Sequence, residues 1–172
     1  AGAGSNDTAR AISMSKEMKA AGATHLLHVS PMYNKPPQRG IVAHFRAIID
    51  SVDLPIVVYN VPGRTGSNIE ARTTLELAKC TSIVAVKEAS GNINQIADII
   101  RDRPGGFSVL SGDDSLTLPV MALGGEGVIS VTSNATPRLM AQLCDSAAAN
   151  DVVTARNLHR RLQPWMAAAF VD

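Results

Sequence analysis

The chain has 172 residues, 45% of them hydrophobic and 18% charged, with a formal net charge of +1; this balance belongs to a globular protein with a sizeable core and excludes a disordered chain. Lysines and arginines are scattered along the sequence, so neither nucleic acid nor anionic lipid is an expected partner. Apolar runs such as Leu54-Pro55-Ile56-Val57-Val58 are far short of the ~20 residues that span a bilayer, and Cys80 and Cys144 lie in no CxxC arrangement, which points to reduced cytosolic thiols.

The chain opens Ala1-Gly2-Ala3-Gly4-Ser5-Asn6-Asp7 without an initiator methionine or a signal-peptide pattern. Gly2-Ala3-Gly4 resembles the exit of a strand, and an N-terminally incomplete chain is expected. Asp7-Thr8 predicts the cap of a helix over 9–21, ended by Gly22. Strands are predicted over 25–30, 56–60, 83–88, 107–111 and 127–131, where β-rich apolar runs recur at intervals of about 20 to 30 residues. Between them, Pro37 to Gly40 leads into a helix carrying Val42, Phe45, Ile48 and Ile49. Asn68, Asn92 and Asp114 stand as caps before helices over 69–79, 93–101 and 116–123, Thr136-Pro137 starts another, and residues 151–169 form the last.

Strands alternating with helices indicate βαβ units on a parallel sheet. Strands apolar on both sides imply either helices on both faces or a closed barrel ringed by helices. A doubly wound nucleotide domain would need a third glycine where Asp7 stands, so Gly2-Ala3-Gly4 is a poor match to its phosphate loop. Polar residues cluster instead at the carboxyl ends of several strands: Tyr33, Tyr59-Asn60, Lys87-Glu88 and Ser111-Gly112-Asp113. Barrel enzymes keep their chemistry there, so the expected fold is a (β/α)8 TIM barrel, of whose eight strands this chain holds five.

In Ile83-Val84-Ala85-Val86-Lys87-Glu88, period-two alternation sets Ile83, Ala85 and Lys87 on one face and Val84, Val86 and Glu88 on the other. An inward lysine is disfavoured as an ammonium, and a neutral amine attacks ketones to give a Schiff base. Taken alone, this segment favours the plainer reading, a strand-end lysine snorkelling to water. Tyr59 alters the balance, because it falls on the same face of the preceding strand, where a phenol could relay protons. The loop Asn60-Val61-Pro62-Gly63-Arg64-Thr65-Gly66 sets Arg64 above that end, where its planar fork suits a carboxylate; a solvated loop arginine is the alternative.

Tyr59-Asn60-Val61-Pro62-Gly63-Arg64-Thr65 together with Val86-Lys87-Glu88-Ala89-Ser90-Gly91 resembles the paired signature of the dihydrodipicolinate synthase family, among the pyruvate-dependent class I aldolases of the N-acetylneuraminate lyase superfamily. Ser30-Pro31-Met32-Tyr33-Asn34-Lys35-Pro36, Ser111-Gly112-Asp113-Asp114 and Gly125-Glu126-Gly127-Val128-Ile129-Ser130 match further segments in the same order. The resemblance implies that residues 1–150 are strands 4 to 8 of the barrel, lacking the first three, and that residues 151–172 begin a C-terminal helical region. It implies that Lys87 condenses with pyruvate and that the enamine attacks aspartate semialdehyde. Tyr59 would relay protons, Arg64 would bind the semialdehyde carboxylate, and Gly112 and Ile129 would flank the pyruvate. Tyr33 would reach a neighbouring subunit's site in a cytoplasmic homo-oligomer, to complete a hydroxyl triad whose threonine lies upstream of residue 1. No cofactor or metal is implied. Another pyruvate aldolase using a different aldehyde, or a non-catalytic barrel relative, would share much of this pattern.

The remaining polar residues suggest no further chemistry. His25 and His28 face opposite sides of a strand, Asp113-Asp114 reads as a turn with helix capping, and His44 and His159 read as helix-surface residues.

Overall fold

In the computed structural model, which describes residues 1–171, each strand is followed by a helix. The strands are β1 (Leu26–Val29), β2 (Ile56–Asn60), β3 (Ile83–Glu88), β4 (Ser108–Ser111) and β5 (Gly127–Val128), and the helices are α1 (Thr8–Ala20), α2 (Gln38–Ile49), α3 (Pro62–Thr65), α4 (Ala71–Leu77), α5 (Ile93–Asp102), α6 (Thr117–Ala122), α7 (Pro137–Ala148) and α8 (Val152–Ala168). Among the described residues the strands form one sheet in the order β1-β2-β3-β4-β5, and each neighbouring pair is parallel. An unreversed order with right-handed crossovers places every connecting helix on the same side of the sheet. This is the winding of a barrel wall, since a doubly wound sheet would reverse its order.

The burial of side chains follows from that winding. Leu26, Ile56, Val58, Val86 and Val109 join Phe45, Ile48, Leu77, Ile96 and Ile99 from the helices, and Ile69 from the loop before α4, in one core. The opposite face carries Leu27, Val29, Val57 and Tyr59, all only half buried. A second core joins α7 to α8 through Met140, Leu143, Ala155, Leu162 and Met166. Beside β1, residues 1–3 run parallel to it: Leu27 N–H donates to Ala1 O at 2.7 Å and Ala3 N–H to Leu27 O at 3.1 Å. No helix among the described residues is long and apolar enough to cross a membrane.

Several local expectations change. The alternation proposed for β3 fails at its start, because the register shifts between Ile56 and Val57. Ile83 therefore pairs with Ile56 and joins the helix-side core, while Ala85 and Lys87 keep the opposite face. The loop after Asn60 contains α3, with Pro62 in its first turn and Gly66 closing it at φ 70°, a left-handed conformation open to glycine. Asp7 and Asn92 cap α1 and α5 as expected, accepting from Arg10 and Gln95 N–H. Asn68, Asp114 and Thr136 do not cap: Asn68 bonds Gln95, Asp114 is drawn into the backbone of 131–132, and Thr136 donates to Thr132 O. His44 is not a surface residue either, being only 5% exposed and packed edge-on to Phe45. His159 is half buried.

At the amino-terminal end of β4 and β5, Arg103 forms a clip. It donates to Phe107 O, Gly124 O and Glu126, and Glu126 in turn accepts from Val109 N–H at 2.8 Å. Chemistry is expected at the other end of the strands, so the clip serves stability. Arg103→Ala should lower the unfolding free energy by about 1 kcal/mol, because two carbonyls and an exposed carboxylate lose a charged donor together. A urea midpoint indistinguishable from the parent's would count against this.

Candidate active site

The carboxyl ends of the strands are joined in a regular stair. Ser30 N–H donates to Tyr59 O, Ala89 N–H to Asn60 O, Gly112 N–H to Glu88 O at 2.7 Å, and Ile129 N–H to Ser111 O at 2.9 Å. Each residue just past one strand is thereby tied to its neighbour, so the residues that follow stand at one level.

On this stair Lys87 and Tyr59 are direct cross-strand partners. Lys87 is 8% exposed, and its Nζ lies 4.3 Å from the centroid of the Tyr59 ring. Burial lowers the Lys87 pKa from the ordinary lysine value, the nearby Asp114 charge opposes that shift, and Arg64 adds to it. Tyr59 is pushed the other way: burial raises its pKa, Arg64 lowers it and Asp113 raises it. The pair is thus biased toward a neutral amine beside a protonated phenol, which are the forms a carbonyl-attacking nucleophile and its proton donor require.

Arg64 stands exposed on α3. Among the described residues it has no carboxylate within ion-pairing distance. With Tyr59, Val61, Met32, Leu27, Val29, Gly2 and Gly4 it lines a cavity of about 400 Å³ on the half-buried face of the sheet.

Gly112 lies against the lysine. A Cβ added there would come within 2.8 Å of Ala89 Cβ and 3.0 Å of Lys87 Cε and Cγ. Only a glycine leaves the Lys87 chain in place, so, if the Lys87 amine reacts with a carbonyl as its environment favours, Gly112→Ala should slow that reaction by roughly tenfold to a hundredfold, the effect of displacing a reacting group by about 1 Å. Unchanged trapping kinetics would contradict the role.

Two other candidates are placed differently. Ile129 sits half buried just beyond β5, held on the stair by its N–H to Ser111 O. Tyr33 is not brought to the pair: its N–H donates to Thr65 O, its φ is 73° and its side chain is 87% exposed. The sequence reading also missed two groups. Asp114 is buried, with Oδ2 accepting from Val131 N–H, Thr132 N–H and Thr132 Oγ1, a link that no local spacing signals. Behind the lysine, Glu88 is 1% exposed and bonded to Asn60, Ser90 and Gln95. Its place on the helix-facing side of an otherwise apolar strand was the available clue. Among the described residues no cluster of three or more His, Cys, Asp or Glu could hold a metal ion.

A singly wound parallel sheet with a buried lysine at the carboxyl end of one strand defines an α/β protein of TIM-barrel type with an amine-bearing site. The profile of the Dihydrodipicolinate synthetase family matches residues 1–172, and the chain belongs to that family. It is 50% identical over 173 aligned residues to the 4-hydroxy-tetrahydrodipicolinate synthase of Koribacter versatilis, covering 100% of this chain and 58% of that protein. To the enzyme of the same name from Chlorobium chlorochromatii it is 48% identical, again over 100% of this chain and 58% of the relative. The crystal structure of dihydrodipicolinate synthase from Aquifex aeolicus superposes with a TM-score of 0.97 at 44% identity, covering 99% of this chain and 59% of that one. The chain thus spans well under two thirds of the length of these relatives.

Proposed function

We propose that these five strands are strands 4 to 8 of a (β/α)8 barrel, that α8 begins its C-terminal helical region, and that the whole protein condenses pyruvate with L-aspartate 4-semialdehyde to give 4-hydroxy-tetrahydrodipicolinate, toward diaminopimelate and lysine. The observation that carries this is the Lys87 amine lying 4.3 Å over the Tyr59 ring on the barrel-interior face. The Lys87 amine adds to the keto carbon of pyruvate, and water leaves to give an imine. Loss of a methyl proton gives an enamine, whose carbon attacks the aldehyde; the semialdehyde's own amine then adds to the imine carbon, closing the ring and displacing the Lys87 amine. Tyr59 donates to the departing hydroxyl and takes protons back, as its raised pKa suits. Arg64, exposed above the cavity, grips the semialdehyde carboxylate, and Gly112 and Ile129 flank the bound pyruvate. The covalent imine does the work of a cofactor, and this chemistry requires no metal.

Tyr33 fits an assembly of copies. Its side chain is exposed on a loop tied to Thr65, and in this reading it enters a second subunit's site in a homodimer or a dimer of dimers. The cytoplasm, where such biosynthetic chemistry runs, is the proposed location.

The test is borohydride reduction with pyruvate in the full-length protein, followed by peptide mass spectrometry. A pyruvate-derived adduct on Lys87 is expected, and an unmodified Lys87 overturns the reading. Product formation with aspartate semialdehyde separates this activity from that of an aldolase using another aldehyde. Arg64→Ala should lower kcat/KM for the semialdehyde by about a hundredfold, the worth of a bidentate charged pair, and leave KM for pyruvate within about twofold. Equal losses for both substrates would refute the assignment.

A further inference from the structure

The residues that immediately follow Tyr59 and Lys87 are themselves a cross-strand pair, Asn60 and Glu88. Tyr59 and Lys87 face the barrel interior, so their successors point to the helix layer. Both are buried, at 0% and 1% exposure. Asn60 Nδ2 donates to Glu88 Oε1 at 3.0 Å and to Oε2 at 3.3 Å. Its Oδ1 accepts from Ile69 N–H at 2.9 Å, which fixes the amide orientation. Glu88 further accepts from Ser90 N–H at 2.9 Å and Gln95 Nε2 at 2.9 Å.

A fully buried carboxylate without a cation is a costly choice for an apolar core. Asn60, Ser90 and Gln95 all donate to it, and these bonds partly offset the burial that raises its pKa. The carboxyl group is held by α5, by the turn after β3 and by the end of β2 at once. A plain apolar pair such as Val58 and Val86, one step earlier, would pack these strands without fixing their relative height.

We propose that Asn60 and Glu88 are positioning residues, whose hydrogen bond behind the sheet sets the height of Tyr59 against Lys87 in front of it. Neither side chain touches substrate. A slip of β2 along β3 would carry the phenol away from the amine, and the Asn60–Glu88 bond resists that slip at the adjacent rung. The proposal rests on the Schiff-base reading above, so its test must tell the two failures apart.

The test is a double-mutant cycle in the full-length protein, reading the rate of pyruvate imine trapping and the overall kcat. Asn60→Ala should lower kcat roughly tenfold to a hundredfold, with KM for pyruvate changed by less than about threefold. In a Tyr59→Phe background the same substitution should cost less than about threefold, because the contact it positions is already gone. A merely structural role would give the same loss in both backgrounds, and that result overturns the proposal. If Asn60→Ala does not fold, as judged by circular dichroism, Gln95→Ala takes its place. It removes one donor to Glu88 from the far side, and a several-fold loss confined to the Tyr59 background is expected; a loss equal in both backgrounds overturns the proposal. Parent protein that is never trapped on Lys87 defeats the Schiff-base reading itself. Parent that is trapped, with both variants at full rate, defeats only the positioning role.

Discussion

Lys87→Arg is expected to lower turnover on the order of a thousandfold or more and to abolish trapping by pyruvate and borohydride, since a guanidinium keeps the charge but forms no imine. Arginine is the more telling replacement because it keeps a long nitrogen-bearing chain at this position but never presents a neutral amine, and circular dichroism separates loss of chemistry from loss of fold. The parent should also carry a signature in pH. On the proposed Schiff-base route the amine is the reactive form, so the rate of imine formation should rise with pH through the Lys87 pKa, and burial lowers that pKa from the ordinary lysine value. The rising limb should therefore lie below the range of a solvent-exposed lysine. A variant with arginine at this position that still turns over at a tenth of the parent rate would show that another group is the nucleophile.

The sequence revealed the strands and the site residues to different degrees. Strands β2 and β3 stand within the predicted bounds, because their β-branched runs are flanked by turn residues and nothing local competes. Strand β5 shrinks to Gly127–Val128, since Ser130 and Thr132 engage Ser133 and Asp114 instead of a ladder. The pairing of Tyr59 with Lys87 was legible because alternation counted back from each strand end gives the same face, and it survives the register shift lower in β3. Roles that depend on partners distant in sequence were not legible. Asp114 looks like a helix cap in its own segment, yet its partners lie 17 and 18 residues away. His44 sits in an amphipathic helix, and only the tertiary packing reveals that its face turns inward.

The same inward histidine predicts how the fold responds to acid. His28 is fully buried on β1, edge-on to Phe45, and His44 flanks the same ring. Ser15 Oγ donates to Ala11 O at 2.7 Å, so at 3.1 Å from His28 Nε2 it acts as acceptor and fixes the neutral tautomer. His28 Nδ1 is then a buried nitrogen with no partner among the described residues, as is His44 Nε2. A proton on either meets no acceptor. Burial and the neighbouring His44 lower the His28 pKa from 6.5 to about 4, and burial lowers that of His44 as well. With folded values below the unfolded one, the unfolded chain binds more protons in this range. Stability is therefore fully present above about pH 6.5 and is lost as pH falls toward 4. At 1.36 kcal/mol per pH unit, His28 alone accounts for about 3 kcal/mol of that loss. Glu88 runs in the opposite sense, because burial raises its pKa and the folded state then holds its proton more tightly. Urea midpoints of the full-length protein between pH 7.5 and 4.5 should fall steeply below about 6.5, and His28→Leu should flatten that fall while leaving Ser15 bonded to Ala11. A parent whose midpoint is level to pH 5, or a variant that keeps the parent's slope, would show that the buried histidines do not govern the acid limb.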